Sequence, residues 1–522
     1  MVFIYNKPTL YFKRFIMKMN SNIYSPIKLI KQLLLGACAI SAVAATASYA
    51  TEAERPNILL IITDDQSIDT INALGNDAIN TPNIDRLAHS GMAFTHVFNQ
   101  GSWSGAVCAP SRQMINTGRN LHMTGFSPKS NKTKHPLMGE TFQKAGYETF
   151  ITGKWHVGDD ALKRSFNIGR AVHEGGMAPI SKGGQWKPWL TDFGENIKWA
   201  KKQKNQHTSE AFADAAISYI ETKAQRNDNP FMMYVAFTAP HDPRQSPQSY
   251  VDKYPAESMV LPASFVPMPE IDAGDYNIRD EALMTFPRTE KQTKEFIGEY
   301  YAMVEHMDTQ IGRILDSLEK SPYAKNTYII FTSDHGLAVG KHGLAGKQSV
   351  YDHSIRAPFI MVGNGIPKNS RAKGMFYLNS IFATTAELAG IEAPASLQGP
   401  SVMPIVRGEK TVMNDYIYGS YRHFQRMARS HRYKLVYYPL LKRNVLFDLK
   451  NDPWEMHDIS KEEGSELIIK ELTAKLEELK VEVGDTLTND DPEKSYQPFT
   501  GKVRPGFQKD QIGVKQTVFT EH

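Results

Sequence analysis

The most regular pattern in the chain is a series of short, continuous apolar runs rich in β-branched and aromatic residues. Four of them have the length of a strand and lack polar alternation, which is typical of strands buried on both faces of a sheet. They are residues 57–63, 147–152, 231–237 and 327–332. Between these runs, apolar residues recur at helical spacing. This spacing predicts helices at residues 81–88, 137–145, 209–223 and 300–318.

Strands that alternate with helices predict an α/β fold with a large mixed, mostly parallel sheet sandwiched between helices. Each of the four apolar runs ends in polar side chains. These are, in chain order, Asp64 with Asp65, Lys154 with His156, His241, and Asp334 with His335. Because parallel strands end at the same sheet edge, where open α/β sheets bind ligands, we expect these groups to converge in one site. A single pair such as Asp64-Asp65 is equally typical of a solvated turn, so the convergence of four groups carries the interpretation.

The acidic members of these groups suit a hard metal ion. Asp64, Asp65 and Asp334 supply carboxylate oxygens from two strands. Oxygen ligands favour calcium or magnesium over zinc, and the larger, less directional calcium ion is the better match. The sequence contains no Cys/His arrangement with zinc-site spacing.

The sequence has two cysteines, Cys38 and Cys108. Cys38 lies in an apolar N-terminal segment, so an exported mature chain would keep a single cysteine that cannot close an internal disulfide. A free cysteine is commonly a small buried apolar residue. The loop before Cys108 and Pro110 after it instead predict a helix that begins here, with unpaired N–H groups directed at a tetrahedral anion.

The first fifty residues have the features of a signal peptide. They carry six Lys or Arg residues and no acid, an apolar run at 33–45, and small residues at Ser48 and Ala50. The run is too short for a membrane span of about 20 residues, so no stable span is expected. We therefore expect a periplasmic or secreted protein, with a lipid anchor at Cys38 as the alternative.

Charge and length set further limits. Removing the six positive charges from the formal +4 of the full chain leaves −2, so no basic surface for nucleic acid is expected. The predicted domains are residues 51–415 and a C-terminal subdomain at 416–522. Short strands at 426–429, 433–438 and 445–449 precede an amphipathic helix with Leu467 to Leu479 on its apolar face. This order predicts a small antiparallel sheet with a covering helix, followed by a polar tail.

One stretch connects these predictions to a known family. Cys108-Ala109-Pro110-Ser111-Arg112, followed by Thr117-Gly118, resembles the signature of formylglycine-dependent sulfatases, in the alkaline phosphatase superfamily. Four further segments are similar to sulfatase motifs, and the resemblance covers most of residues 55–450. They are Pro56 to Asp65, Gly153-Lys154-Trp155-His156, the His241 segment, and Ser333-Asp334-His335-Gly336 with the downstream Gly346-Lys347.

The resemblance implies an alkaline-phosphatase-like fold, a bound calcium, and oxidation of Cys108 to formylglycine by a maturation enzyme. It also implies two residue sets. The catalytic set is Cys108, Arg112, Lys154, His156, His241 and Lys347, and the metal set is Asp64, Asp65, Cys108, Asp334 and His335. His335 departs from the pattern, because several sulfatases have Asn there and imidazole is a poor calcium ligand.

The resemblance further implies a division of labour between two histidines. His156 would accept a proton from the formylglycine hydrate, and His241, alone or with Lys347, would protonate the leaving sugar oxygen. Arg112 would orient the hydrate, and Asp334 would help to deprotonate the attacking hydroxyl. Histidine can fill either role because it titrates near neutral pH.

The substrate is expected to be a sulfated oligosaccharide or polysaccharide. Long inserts at 166–207 and 243–287 would wall a deep site, although the aromatic residues of the first insert could equally serve packing. Arg422, His423 and Arg426 are candidate substrate-binding residues, with a solvated basic strand as the alternative. We expect exo action on oligosaccharides, with ulvan- or carrageenan-type algal glycans ahead of animal glycosaminoglycans. The alternatives are a phosphonate or phosphate monoester hydrolase of the same superfamily, and an unmodified sulfated-glycan binding protein.

Overall fold

The computed structural model describes residues 55–127, 130–194, 197–226, 229–486 and 498–500. Its centre is an eleven-stranded sheet, in which ten strands follow the order β11-β2-β10-β9-β1-β8-β4-β5-β6-β7 and β12 pairs with β2. The strands of this sheet are β1 Asn57–Thr63, β2 Met92–Phe98, β4 Glu148–Lys154, β5 Ile168–His173, β6 Trp189–Gly194, β7 Ile197–Gln203, β8 Phe231–Ala236, β9 Thr327–Ser333, β10 Arg356–Val362, β11 Ser370–Ala372 and β12 Phe376–Tyr377.

The four predicted strands β1, β4, β8 and β9 are adjacent and parallel. Strand β1 lies between β8 and β9, with Ile61 opposite Val235 on one side and Phe331 on the other. All seven residues of β1 are buried. The sheet is mixed, because β10 runs antiparallel to both β2 and β9. The predicted α/β fold with a mostly parallel sheet is therefore confirmed.

Helices cover both faces of the sheet. They are α1 Pro82–Ser90, α2 Cys108–Thr117, α3 Met138–Lys144, α4 Asp159–Ser165, α5 Thr208–Arg226, α6 Gln248–Val251, α7 Glu290–Lys320, α8 Asp352–Ile355, α9 Ser380–Leu388, α10 Met403–Val406 and α11 Ser465–Glu482. Alternate residues of β1 point to opposite sides. Leu60 packs in a core with residues of α2, α3 and α9, whereas Leu59 and Ile61 pack with residues of α1, α5 and α7.

The 166–207 insert forms part of the sheet. Strand β5 pairs parallel with β4, and β6 and β7 continue the sheet in antiparallel pairing. From the sequence, this insert was expected only to wall the site, and its three strands were not predicted. For β7 the reason is exposure, because most of its side chains are exposed and it has no apolar face that would produce a pattern.

A second sheet has the order β16-β15-β14-β13-β3. Its strands are β3 Gly101–Ser102, β13 Ile417–Tyr421, β14 Gln425–Arg429, β15 Tyr433–Tyr438 and β16 Arg443–Asp448. The four C-terminal strands are antiparallel, and Leu472, Leu476 and Leu479 of α11 pack on them. The fifth strand, β3, comes from just before Cys108 and pairs parallel with β13.

The predicted signal peptide, including Cys38, and most of the polar tail lie outside the described residues. Among the residues that are described, no helix combines the length and the apolar character needed to cross a bilayer.

Candidate active site

Cys108 is the first residue of α2 and lies at the sheet edge where β1, β4, β8 and β9 end. Its side chain is buried, with 2% exposed. The Cys108 Sγ lies 3.5 Å from Lys347 Nζ and 4.0 Å from Asp65 Oδ1. Ser111 Oγ donates to the backbone oxygen of Asp334 at 2.6 Å, which ties the first turn of α2 to the end of β9. The helix that starts here thus holds Cys108 next to the acidic residues that follow β1 and β9.

Two lysines pair with the two aspartates after β1. Lys154 Nζ donates to Asp64 Oδ2, and Lys347 Nζ donates to both carboxylate oxygens of Asp65 at 2.7 and 2.8 Å. Asp65 adopts a left-handed backbone conformation, with φ at 70°. Its backbone N–H donates to Asp334 Oδ1 at 3.3 Å, so the turn after β1 is fastened to the turn after β9.

Gly153 explains how Lys154 reaches this position. Its φ is +88°, and a Cβ there would lie 1.8 Å from the backbone oxygen of Ala236 in the neighbouring strand. Only glycine allows both the left-handed conformation and this approach between β4 and β8. The pairing of β4 with β5 also shifts register at this point. The glycine before Lys154 is therefore required by the close contact of the two strands.

Arg112 connects the remaining elements beneath Cys108. Its Nε donates to Asp334 Oδ2 at 2.9 Å and its Nη1 donates to the backbone oxygen of Lys154 at 2.8 Å. Arg112 is completely buried, and its Nη2 lies 4.0 Å from Asp64 Oδ1 and has no hydrogen-bond partner within the described part of the chain. The guanidinium thereby links the ends of β4 and β9 to the helix that carries Cys108.

Three histidines surround Cys108. His335 Nε2 lies 3.4 Å from Asp65 Oδ1 and 3.5 Å from Asp334 Oδ1. His156, at the exit of β4, has φ at 56°, and its buried Nδ1 has no hydrogen-bond partner in the residues that the structure describes. His241, after β8, places its Nε2 4.0 Å from Asp65 Oδ2. All the residues predicted at the four strand ends are thus brought together.

The donor atoms fit a divalent cation. Possible ligand atoms of Asp64, Asp65, Cys108 and His335 all lie within 4.8 Å of one another. Asp64 Oδ1 and His335 Nε2 are buried and lack a hydrogen-bond partner among the described residues. Asp334 lies beside this group, and its two oxygens accept from Asp65 N and Arg112 Nε. The buried Oδ1 of Asp64, beside the carboxylates of Asp65 and Asp334, is the kind of oxygen donor that a hard cation requires.

Burial and mutual charge shift the pKa values in this group. Burial, followed by the negative charge of Cys108, raises the pKa of Asp64 to about 6. Burial alone would raise the pKa of the Cys108 thiol, but the charges of Lys154, Lys347 and His335 hold that pKa well below its usual range. Cys108 therefore lies in an electropositive environment that favours an anion.

Two residues that the sequence analysis missed hold His241. His241 Nδ1 lies 3.2 Å from Asp242 Oδ1, and Arg279 donates to both oxygens of Asp242 at 2.6 and 3.1 Å. Burial opposes protonation of His241, but the carboxylates of Asp65 and Asp242 hold its pKa well above the usual range. The two carboxylates therefore favour the protonated imidazole. The adjacency of Asp242 to His241 is visible in the sequence, but Arg279 lies in the 243–287 insert without any motif.

A cavity of about 380 Å³ opens above this group. Of the predicted catalytic residues, Cys108, His156, His241 and Lys347 line it, together with Met177 and residues 277–280 from the two inserts. Arg112 and Lys154 are fully buried below its floor. The volume lies near the lower end of about 300–1,000 Å³ typical of small-molecule sites.

The three predicted substrate-binding residues do not line this cavity. Arg426 is buried, pairs with Asp485 at 2.8 Å, and donates to the backbone oxygens of Arg422 and Gln425. Arg422 lies over the ring of Phe424, and the ring of His423 packs on the same ring at 4.0 Å. These contacts are those of residues that stabilise the second sheet.

Comparisons with known proteins agree on one family. A family model described as "Sulfatase" matches residues 56–391, and one described as "N-sulphoglucosamine sulphohydrolase, C-terminal" matches residues 340–482. An N-acetylglucosamine-6-O-sulfatase of Bacteroides thetaiotaomicron is 26% identical, and the match covers 90% of this chain and 94% of that protein. An ulvan-active sulfatase of Formosa agariphila is also 26% identical, with 96% and 95% covered.

Solved structures show the same fold. A protein solved in complex with its substrate D-glucosamine-2-N,6-O-disulfate superposes with a TM-score of 0.69 at 22% identity, covering 84% of this chain and all of that chain. A phosphonate monoester hydrolase of Agrobacterium radiobacter superposes with a TM-score of 0.65 at 21% identity, covering 82% and 96%.

Proposed function

Since the chain belongs to the sulfatase family and is thus a sulfuric ester hydrolase, we propose that it removes sulfate from sugars at the ends of oligosaccharides derived from a sulfated polysaccharide. The substrates named for two relatives, N-acetylglucosamine 6-O-sulfate and ulvan, support a sulfated glycan. The proposal rests on one observation: Cys108, two buried lysines, two histidines and an unpaired carboxylate oxygen meet under a single cavity.

The cations at this cavity suit the charge of a sulfate ester. Lys347 lines the cavity, and Lys154 and Arg112 lie below it. Fixed positive charges in a buried site stabilise negative charge that develops on sulfuryl oxygens, without reorganisation during the reaction. Their contacts with Asp64, Asp65 and Asp334 hold them in place.

Two groups complete the proposed site. Cys108 would carry formylglycine, introduced by a maturation enzyme, and this group would supply an oxygen nucleophile in place of the thiol. Asp64, Asp65, Asp334 and His335 would hold calcium, which would polarise the sulfuryl oxygens. The Oδ1 of Asp64, which is buried without a hydrogen-bond partner among the described residues, is the observation that supports a cation here.

The two histidines of the cavity have different environments. Asp65 and Asp242 face His241 and raise its pKa, which favours a protonated imidazole that can donate a proton to the leaving sugar oxygen. Burial lowers the pKa of His156, which favours a neutral imidazole able to accept a proton. This difference supports the assignment of His241 as the acid and His156 as the base.

The cavity size supports exo action. A volume of about 380 Å³ accommodates one sugar ring and its sulfate better than the middle of a polymer. The predicted signal peptide supports a periplasmic or secreted enzyme that meets glycan fragments outside the cytoplasm. Ulvan- or carrageenan-type fragments remain the first choice among these, ahead of animal glycosaminoglycans.

The test is a matched panel of esters with protein expressed in its native host. The panel contains monosaccharide sulfates, defined ulvan, carrageenan and glycosaminoglycan oligosaccharides, a small aryl sulfate, and the phosphate and phosphonate analogues of the aryl ester. We expect sugar sulfates to give the highest kcat/KM. Turnover of the aryl sulfate alone would contradict the glycan assignment, and preference for the phosphorus esters would support a phosphonate or phosphate monoester hydrolase.

The same preparation tests the modification and the metal. Mass spectrometry of the peptide that contains Cys108 is expected to show the aldehyde, and calcium chelation is expected to lower both activity and melting temperature. Binding of sulfated glycans without any turnover, with an unmodified Cys108, would instead support a glycan-binding protein.

A further inference from the structure

A second cavity adjoins the catalytic one. We propose that it is an extension subsite that binds an anionic sugar next to the sugar being desulfated; the inference rests on the function proposed above. The second cavity has a volume of about 510 Å³. Its walls come from the end of β5, the 175–188 segment, the start of β6 and the second half of β7, so it lies entirely within the 166–207 insert.

The two cavities share one wall. Met177 lines both of them, and Gly176 lines the catalytic cavity while Gly175 lines the second. The segment 175–177 therefore forms a ridge between the cavities. When the terminal sugar of an oligosaccharide occupies the catalytic cavity, the next sugar can extend across this ridge. The second cavity lies directly beyond the ridge.

The ridge is held in a fixed position. His173 Nε2 contacts the backbone oxygen of Met177 at 3.1 Å, and Arg279 Nη1 lies 2.8 Å from Met177 Sδ. A Cβ at Gly176 would come within 2.6 Å of His156 Cε1, so the backbone of the ridge lies directly against that imidazole. The distance between the two cavities is thereby fixed, as a subsite for a chain of defined repeat length requires.

The lining chemistry suits an anionic sugar. The side chain of Trp189, the first residue of β6, is 46% exposed. Pro179 and Pro188 add apolar surface beside it. Lys182 and Lys201 are the charged residues of the lining, which contains no carboxylate. An exposed indole offers a flat face for a sugar ring, and two ammonium groups favour a uronate or a second sulfate.

The two lysines of the second cavity differ in whether they already form an ion pair with the protein. Lys201 Nζ is paired with Glu174 Oε2 at 3.1 Å, and Glu174 also accepts from Trp199 Nε1. Lys182, in the turn before Gly183, is exposed and has no ion pair among the described residues. Lys182 is therefore the better contact for the anionic group, and Trp189 the better contact for the ring.

The experiment compares three probes: the best monosaccharide sulfate from the panel, the same sugar extended by a uronate, and the same sugar extended by a neutral hexose. The quantity measured is the ratio of kcat/KM for each extended probe to that for the monosaccharide. We expect Trp189→Ala to lower both ratios about 3- to 10-fold, mainly through KM, as loss of one stacking contact predicts. We expect Lys182→Glu to lower only the uronate ratio, by about 5-fold or more.

Matched controls exclude general effects. Trp454 is equally exposed, at 46%, and lies outside both cavities, so Trp454→Ala should keep the wild-type ratios. Lys470→Glu, on the exposed side of α11, controls for the change in net charge. Unchanged ratios in both subsite variants, or equal losses on all three probes, would overturn the subsite. Failure of the wild-type protein to cleave the monosaccharide sulfate would instead overturn the proposed function.

Discussion

Two buried aspartates, Asp64 and Asp352, show how differently this protein uses buried charge. Asp352 lies between the two sheets, where its Oδ1 accepts from Arg429 and Lys434 and its Oδ2 also accepts from Arg429. Although burial opposes ionisation, these cations hold the pKa of Asp352 well below its usual range. At Asp64, burial and the negative charge of Cys108 instead raise the pKa to about 6.

The two carboxylates differ in how many of their oxygens accept hydrogen bonds. Both oxygens of Asp352 accept hydrogen bonds from side chains of this chain, whereas Asp64 Oδ1 has no partner among the described residues. A buried carboxylate whose two oxygens both accept hydrogen bonds has a structural role. A buried carboxylate with an oxygen that accepts none can still coordinate a ligand. The comparison predicts that changes at Asp64 affect activity and that changes at Asp352 affect stability.

The largest effect is expected at Cys108. Cys108→Ala should lower kcat by about 10⁴-fold or more, because the reacting group is lost while the surrounding charges remain. The melting temperature should stay close to that of the wild-type protein, since the substitution removes a single heavy atom from the side chain at the start of α2. Turnover of a sugar sulfate by the variant at the wild-type rate would rule out a catalytic role for Cys108.

The next effect is expected for Asp64→Asn. Loss of one carboxylate should weaken cation binding and lower kcat/KM by about 10²–10³-fold, the size of effect seen when one electrostatic contact to a transition state is removed. The check is activity as a function of calcium concentration, together with the melting temperature. A variant that kept its activity but lost several kcal/mol of stability would reverse the assignment of the two aspartates.

Asp352→Asn is the matched change. It should lower the free energy of unfolding by about 3–5 kcal/mol, because Arg429 would stay buried without its anion and Lys434 would keep only Glu455. The kcat of the folded protein should remain near the wild-type value. Because the folded pKa of Asp352 is depressed, its contribution is fully present above the unfolded value of 3.8 and is lost as pH falls below it. Denaturant unfolding at pH 7 and pH 3 should therefore give a difference that shrinks at the lower pH.

His241→Ala should have an effect that depends on the leaving group. For sugar sulfates we expect a loss in kcat of about 10²–10³-fold, because the alkoxide needs a proton as it departs. For an aryl sulfate with an acidic phenol the loss should be far smaller. Equal losses on both esters would assign His241 to binding or structure, and would separate it from the proton donor.

The smallest effect is expected at Asp275, a third buried aspartate that extends the comparison of Asp64 with Asp352. Its Oδ1 has no hydrogen-bond partner among the described residues, and burial, followed by the charge of Glu281, raises its pKa to about 7. The stability that it contributes is present below the unfolded value of 3.8 and is lost as pH rises through about 7. Asp275→Asn should therefore be stabilising by about 1–2 kcal/mol at pH 8 and nearly neutral at pH 4. Equal effects at both pH values would contradict the raised pKa.

The central strands could be predicted because burial on both faces leaves a continuous apolar run. Residues 57–63 and 231–237 have this property, and the structure places them side by side in the sheet. Since polar residues directly after such runs must lie at the same sheet edge, their meeting also followed from the sequence. The calcium and formylglycine expected there remain predictions.

Other features depend on contacts that no local pattern shows. Strand β7 was missed because it is largely exposed and lysine-rich, and its main aromatic contact is the stacking of Trp199 on Phe193. Arg279 was missed because it is 37 positions from Asp242 and lies in an irregular insert. Only the fold brings the two together.

The pairing of β3 with β13 has a consequence for the order of events during synthesis. Gly101 aligns with Ser420, so the strand that leads into Cys108 cannot pair until more than 300 further residues have left the ribosome. The folded protein keeps the Cys108 side chain only 2% exposed. An enzyme that modified Cys108 before the fold is complete would therefore meet an exposed side chain, and β3 would stay unpaired while the intervening residues are made.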